Sequence, residues 1–190
     1  MDASSLVVGR EIGGVVERLR RSTVRVVSGD AGLGSGVIWS RDGMVVTNAH
    51  VARHRRVLVV LADGRRFDAH LVARDPRRDL AVLRIPPDLL AEARNGDARA
   101  LRPGELMIAV GNPLGLAGAA SVGIVHAAGD GPLVRSDVRL APGNSGGPLA
   151  TVDGHVVGIN TMVVGGLGVA IASHVVTALL AELAATERAA

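Results

Sequence analysis

The sequence predicts an all-β fold: two antiparallel six-stranded β-barrels, with one helix before them and one after. Three observations predict it. The chain has 190 residues, enough for one domain or for two small barrels sharing a core. Its middle consists of short β-branched runs broken by Gly, Asp and Asn, with hairpin signals at Asp42-Gly43, Asp63-Gly64 and Asp153-Gly154. These runs form two groups of about six on either side of a polar, Ala-rich connector at 88–103, with no sequence repeat between the groups.

Residues 4–20 read as a helix. Ser4 or Ser5 can cap it, and Ile12, Val15, Val16 and Leu19 share one face, although Gly13-Gly14 weakens it. Strands are expected at Thr23–Val27, Gly36–Trp39, Val45–Thr47, Val57–Leu61, Phe67–Ala73 and Leu80–Ile85, where Pro86-Pro87 ends the block. The connector has room for a short helical turn. The second block is expected at Leu106–Val110, Gly118–Ala127, Val134–Ser136, Gly147–Ala150, Val156–Asn160 and Leu167–Ile171. Ser173 is expected to cap a closing helix over Val175–Leu183. The expected division is a helix at 1–20, a first barrel with connector at 21–100, a second barrel at 101–173 and a closing helix with tail at 174–190.

Composition excludes several functions. There is no cysteine, which rules out disulfide scaffolds, thiolate metal sites and cysteine nucleophiles. With no Tyr, one Trp (Trp39) and one Phe (Phe67), a single-strand nucleic-acid binder built on stacked aromatics is not expected. All 21 basic residues are Arg, yet the net charge is only +3, and the short Arg clusters read as solvated turns and strand ends. The longest stretch without a charged residue or His, Leu106 to Val125, is broken by Asn112-Pro113 and by four glycines, so it is not a membrane span. The N-terminus lacks a basic start followed by an apolar run. A cytoplasmic protein is therefore expected from the sequence as it stands, or a periplasmic or extracellular one if a leader has been removed.

Three segments carry chemistry. In Ala141-Pro142-Gly143-Asn144-Ser145-Gly146-Gly147-Pro148-Leu149 a serine sits on a glycine-rich turn. Acyl transfer needs an exposed hydroxyl on such a turn, with backbone N–H groups converging on the oxyanion. In Val45-Val46-Thr47-Asn48-Ala49-His50-Val51 a histidine ends an apolar strand, where an imidazole suits general base work. Asp79 opens the apolar run Leu80–Ile85, and a half-buried carboxylate there can orient an imidazole. Taken singly, each has a plainer reading: a glycine-rich turn, a strand-end histidine, and a turn aspartate paired with Arg77 or Arg78. Taken together, they run His50, Asp79, Ser145, the chain order of one of the known serine-protease triads. The base and its orienting acid then come from the first barrel and the nucleophile from the second, placing the site in the cleft between them.

The chain resembles the protease domain of the HtrA/Deg family of trypsin-like serine proteases. The resemblance rests on Gly34-Ser35-Gly36-Val37-Ile38, Thr47-Asn48-Ala49-His50-Val51, Asp79-Leu80-Ala81-Val82-Leu83, Gly111-Asn112-Pro113-Leu114-Gly115, Gly143-Asn144-Ser145-Gly146-Gly147-Pro148-Leu149, Gly158-Ile159-Asn160-Thr161 and Gly166-Leu167-Gly168-Val169-Ala170-Ile171, which occur in order from about residue 22 to 180. It implies the trypsin-like double-barrel fold and a serine endopeptidase acting on unfolded or extended polypeptides, with catalytic His50, Asp79 and Ser145. It implies an oxyanion hole at Gly143 and Ser145, with Asn144 shaping the turn. It further implies a specificity pocket lined by Leu140 and Leu167, and a strand at Leu167–Val169, through Gly168, that pairs with the substrate main chain. The position six before the serine is Arg139 rather than an acid, so cleavage is expected after small aliphatic residues. No metal and no cofactor are expected. No PDZ domain follows within these residues, the loop His126–Arg135 is short, and residues 1–38 hold no aromatic, so a monomer is weighed against the family's trimer. The alternative function is a chaperone-like module that holds extended chains in the same cleft with little or no hydrolysis.

Overall fold

The computed structural model describes residues 3–29, 32–113 and 116–189. The first helix starts at Ala3, so Ser4 and Ser5, expected to cap it, lie inside it, and the Leu114-Gly115 part of one motif lies outside the described residues. Helix α1 (Ala3–Ser22) leads into strands β1 (Thr23–Ser28), β2 (Gly32–Ile38), β3 (Met44–Thr47), β4 (Arg56–Val60), β5 (Arg66–Asp75) and β6 (Leu80–Arg84). These close into a barrel in the order β1-β2-β3-β6-β5-β4. The connector holds a two-residue strand, β7 (Arg94–Asn95), and one 3₁₀ turn, Ala98–Ala100. Strands β8 (Leu106–Gly111), β9 (Ala119–Ala127), β10 (Leu133–Ser136), β11 (Pro148–Thr151), β12 (His155–Val164) and β13 (Leu167–Ala172) form the second barrel, and helix α2 (Ser173–Ala189) closes the chain. The second sheet runs β11-β8-β9-β10-β13-β12 and is closed by pairing of β11 with β12. The expected pair of six-stranded barrels is thus present, with β7 added in parallel at His155–Val156.

The three Asp-Gly turns behave as their chemistry requires, with Gly43, Gly64 and Gly154 at φ +94°, +90° and +89°. Ser173 differs from expectation. It lies inside α2, and its hydroxyl accepts the Ala98 N–H at 3.0 Å, tying the connector to the closing helix.

Three apolar clusters build the core. One fills the first barrel with Val24, Val26, Ile38, Val45, Val59 and Leu83. Another fills the second barrel with Met107, Val125, Val134, Leu149 and Val157. The largest lies on the seam, where Val37, Trp39, Val46, Leu80, Val82, Ile108 and Ile159 meet Val15 and Leu19 of α1 and Val176 and Leu179 of α2. Alternation along a strand sends one face into a barrel and the other into the seam. Strands β3, β6 and β8 are therefore apolar on both faces and read as unbroken runs. Trp39 is a seam residue, 8% exposed. Ile108 is fully buried there, and Ile108→Ala should cost about 3 kcal/mol of stability by lost transfer energy plus a cavity. A urea midpoint lowered at unchanged slope is the expected reading.

Candidate active site

The turn that brings His50 to the seam is fixed by the main chain of Asp79. The Asp79 carbonyl accepts from the Ala49 N–H at 3.1 Å and from the Asn48 side-chain amide at 3.0 Å. Asp79 itself has φ +53°, one of two positive-φ non-glycine residues among those described. An aspartate tolerates that left-handed conformation better than most residues. Here it turns the carboxylate back over His50. Oδ1 accepts the His50 backbone N–H at 3.0 Å, and the His50 ring Nδ1 lies 3.0 Å from Oδ1 and 2.8 Å from Oδ2. Arg77 and Arg78 do not take this carboxylate. Arg78 binds Glu182 of α2 with both terminal nitrogens, at 2.9 and 2.8 Å. Burial pushes the Asp79 carboxyl upward. Hydrogen bonds from the His50 ring, the Thr161 hydroxyl and the His50 amide outweigh that and hold it below the ordinary value of 3.8.

Ser145 arrives from the second barrel on the turn between β10 and β11. The turn is held across the seam by Ser35, whose N–H donates to the Ser145 carbonyl at 2.8 Å, and within the second barrel by the Gly146 N–H, which donates to the Asn160 carbonyl at 2.8 Å. The Ser145 hydroxyl donates to the Thr161 carbonyl at 3.0 Å. Thr161 in turn donates its own hydroxyl to Asp79 Oδ2 at 2.6 Å. Ser145 and Asp79 thus both bond to Thr161, and His50 joins them through Asp79, although no hydrogen bond joins Ser145 to the His50 ring in this arrangement. Apo serine–histidine bonds are often loose and tighten only with substrate.

The Asn144 N–H is committed to the Ala141 carbonyl at 2.9 Å, so Asn144 shapes the turn. The N–H groups of Gly143 and Ser145 have no acceptor among the described residues, which leaves two donors beside the hydroxyl for a developing oxyanion. Leu140 packs over Gly168, where a Cβ would lie 3.3 Å from Leu140 Cδ1. Leu140 and Leu167 are partly buried, Val169 is buried, and Arg139 is exposed.

Main-chain pairing at Leu167–Val169 differs from expectation. Gly168 and Val169 already pair on one side with Ser136 and Arg135 of β10, and on the other with Val163 and Met162 of β12. The open edge belongs to β12. Its pairing with β11 runs only from Val156 to Ile159. Thr161–Val164 therefore lie past that pairing, next to Ser145, with the side chains of Met162, Val163 and Val164 about half exposed. From sequence alone Thr161 carries no assigned role. The signal was there: Asn160 and Thr161 interrupt a buried apolar strand, and two buried polar side chains in a row need specific partners.

Residues 34–159 match the family model described as the trypsin-like peptidase domain. The chain is 45% identical over 139 residues to a probable periplasmic serine endoprotease DegP-like of Marinomonas sp. (strain MWYL1), which spans 69% of this chain and 30% of that protein. It is 40% identical over 168 residues to the periplasmic serine endoprotease DegP of Escherichia coli (strain K12), over 80% of this chain and 35% of that one. It thus spans about a third of the length of these curated relatives. Among solved structures it is similar to the serine endoprotease from Yersinia pestis, with a TM-score of 0.85 and 33% identity over 90% of this chain and 66% of that chain. No helix among the described residues is long and apolar enough to cross a membrane.

Proposed function

Because the chain belongs to the trypsin-like peptidase domain family, we propose that it is a serine endopeptidase hydrolysing extended or unfolded polypeptides through an acyl-enzyme at Ser145. The observation that carries this reading is the convergence of Ser145 and the His50–Asp79 pair on Thr161. Similarity to proteins named serine endoproteases supports polypeptides as the substrates. Those relatives are named periplasmic, which makes the periplasm the first compartment to test.

In this reading the substrate main chain adds to the open edge of β12 at Thr161–Val164 as an antiparallel strand. The scissile carbonyl carbon lies against Ser145 Oγ. His50 Nε2 takes the hydroxyl proton as the new C–O bond forms, and the carbonyl oxygen moves into the Gly143 and Ser145 N–H donors. His50 then passes the proton to the leaving amine, the C–N bond breaks, and water attacks the ester by the reverse proton path. Leu140, packed over Gly168, and Leu167 are assigned as the apolar lining of the pocket before the scissile bond.

A fluorophosphonate probe tests the chemistry. Labelling at Ser145 that vanishes in Ser145→Ala, together with casein degradation by the wild type alone, is the expected result. A wild type that takes no label and cuts nothing, yet still binds unfolded protein, would overturn it in favour of a holding module. On a peptide panel, Ala and Val before the cleaved bond should be fastest; fastest cutting after Arg would sink the assigned pocket.

A further inference from the structure

The oxyanion turn is connected to helix α1 by a continuous run of hydrogen bonds that no step above uses. It begins at Gly143, whose carbonyl accepts from the Ser35 hydroxyl at 2.7 Å. That hydroxyl accepts in turn from Asn112, through its backbone N–H at 2.9 Å and its side-chain amide at 3.1 Å. One donor and two acceptor positions are all that a serine hydroxyl has, so Ser35 is saturated. Ser35 and Asn112 are 0% and 5% exposed, so these bonds are shielded from water. Asn112 Oδ1 accepts the Gly118 N–H at 3.2 Å. The Gly118 carbonyl accepts from Arg20 Nε of α1 at 2.7 Å, and the Ala117 carbonyl accepts from Arg20 Nη2 at 3.1 Å.

We infer that Arg20 and Ser35 are positioning residues: α1, through Arg20, the 116–118 loop, Asn112 and Ser35, sets the orientation of the Gly143 peptide that shapes the oxyanion hole. This rests on the serine endopeptidase reading for its effect on catalysis. Two features make the coupling stiff. The Asn112 carbonyl and Pro113 Cα pack directly on Gly143, 2.5 and 2.9 Å from where a Cβ would stand. The Arg20 side chain lies against Gly118 at φ +63°, with Nε 2.5 Å from the corresponding position, so the guanidinium sits on bare backbone. The Gly143–Asn144 peptide is thereby held at both ends, its carbonyl by Ser35 and its N–H by the Ala141 carbonyl. When Arg20 lets go, the 116–118 loop loses its two outer bonds, and the Gly118 N–H is no longer held on Asn112 Oδ1; the Asn112 amide then relies on its donor bonds to Ser35 and, at 3.1 Å, to the Val24 carbonyl.

Arg20→Ala is the test, with Arg18→Ala as a control that removes the same charge from an exposed position of the same helix. Arg20→Ala should lower kcat for a peptide substrate about tenfold with KM within twofold. It should weaken a peptide boronate, whose tetrahedral oxygen occupies the oxyanion hole, by a similar factor, and leave affinity for the uncleaved product peptide unchanged. Arg20→Lys, which can make one of the two carbonyl bonds, should recover part of the loss; Arg18→Ala should change none of these. Arg20→Ala folded at the wild-type thermal midpoint, with kcat and boronate affinity within twofold of wild type, would overturn the inference. A wild type without activity or label would instead sink the peptidase reading, and the coupling would then be decided by hydrogen exchange. Exchange of the Asn144 N–H at least tenfold faster in Arg20→Ala supports the coupling; unchanged exchange overturns it.

Discussion

Turnover should fall by about 10⁶ in Ser145→Ala and by about 10⁴ in Asp79→Asn, and the double variant should be no slower than Ser145→Ala alone, since triad members act as a unit. The Asp79 effect follows from its contacts. An ionised carboxylate only accepts hydrogen bonds, and this one accepts from the His50 amide, the His50 ring and the Thr161 hydroxyl. His50 Nδ1 must then carry the proton, which leaves Nε2 bare as the base. An asparagine can turn an N–H toward Nδ1 and fix the opposite tautomer, with the scaffold undisturbed. Stability separates this from simple misfolding. The Asp79 carboxyl is held below 3.8 in the folded chain. Its stabilising contribution is therefore complete above that ordinary value and disappears as pH falls through the lowered one. Asp79→Asn should melt below wild type at pH 7, and the gap should close as the solution is acidified below about 3.8. Equal turnover for Asp79→Asn and wild type, or a double variant far slower than Ser145→Ala, would rule out the assigned roles.

Most of the architecture could be read from the chain because its local signals agree with one another. The Asp-Gly turns sit where glycine's positive φ closes a hairpin, and the apolar runs of β3, β6 and β8 are unbroken because barrel interior and seam each claim one face. What could not be read depends on pairings distant in sequence. The saturation of Ser35 requires Asn112 and Gly143, 77 and 108 positions away. The role of Thr161 requires Asp79, 82 positions away. No periodicity reports such bonds; a buried polar residue in an apolar strand signals only that a partner exists. The same limit applies to the edge proposed for the substrate. Leu167–Val169 and Thr161–Val164 are both short and apolar, and only the register of β10, β12 and β13 shows that the first is paired on both sides while the second has an open edge.

Gly143→Ala should lower kcat by about 10²–10³ with KM little changed, the size expected when one oxyanion donor is misplaced. Gly143 lies at φ +102°, where an L side chain is strained. A Cβ there would also meet the Asn112 carbonyl oxygen at 2.5 Å and Pro113 Cα at 2.9 Å, both backbone atoms unable to rotate away. The peptide must turn, and the bond from Ser35 to the Gly143 carbonyl goes with it. The Ser145 hydroxyl and the His50–Asp79 pair remain, so fluorophosphonate labelling should be slowed and not abolished, unlike in Ser145→Ala. Gly64→Ala separates the two causes. Gly64 has φ +90° and open space around its Cβ position, so it carries the conformational strain without the clash. It should lower stability by a comparable strain cost, of order 1–3 kcal/mol, and leave kcat at the wild-type value. If Gly143→Ala and Gly64→Ala behave alike, with kcat within threefold of wild type, the Gly143 amide is not part of the oxyanion hole.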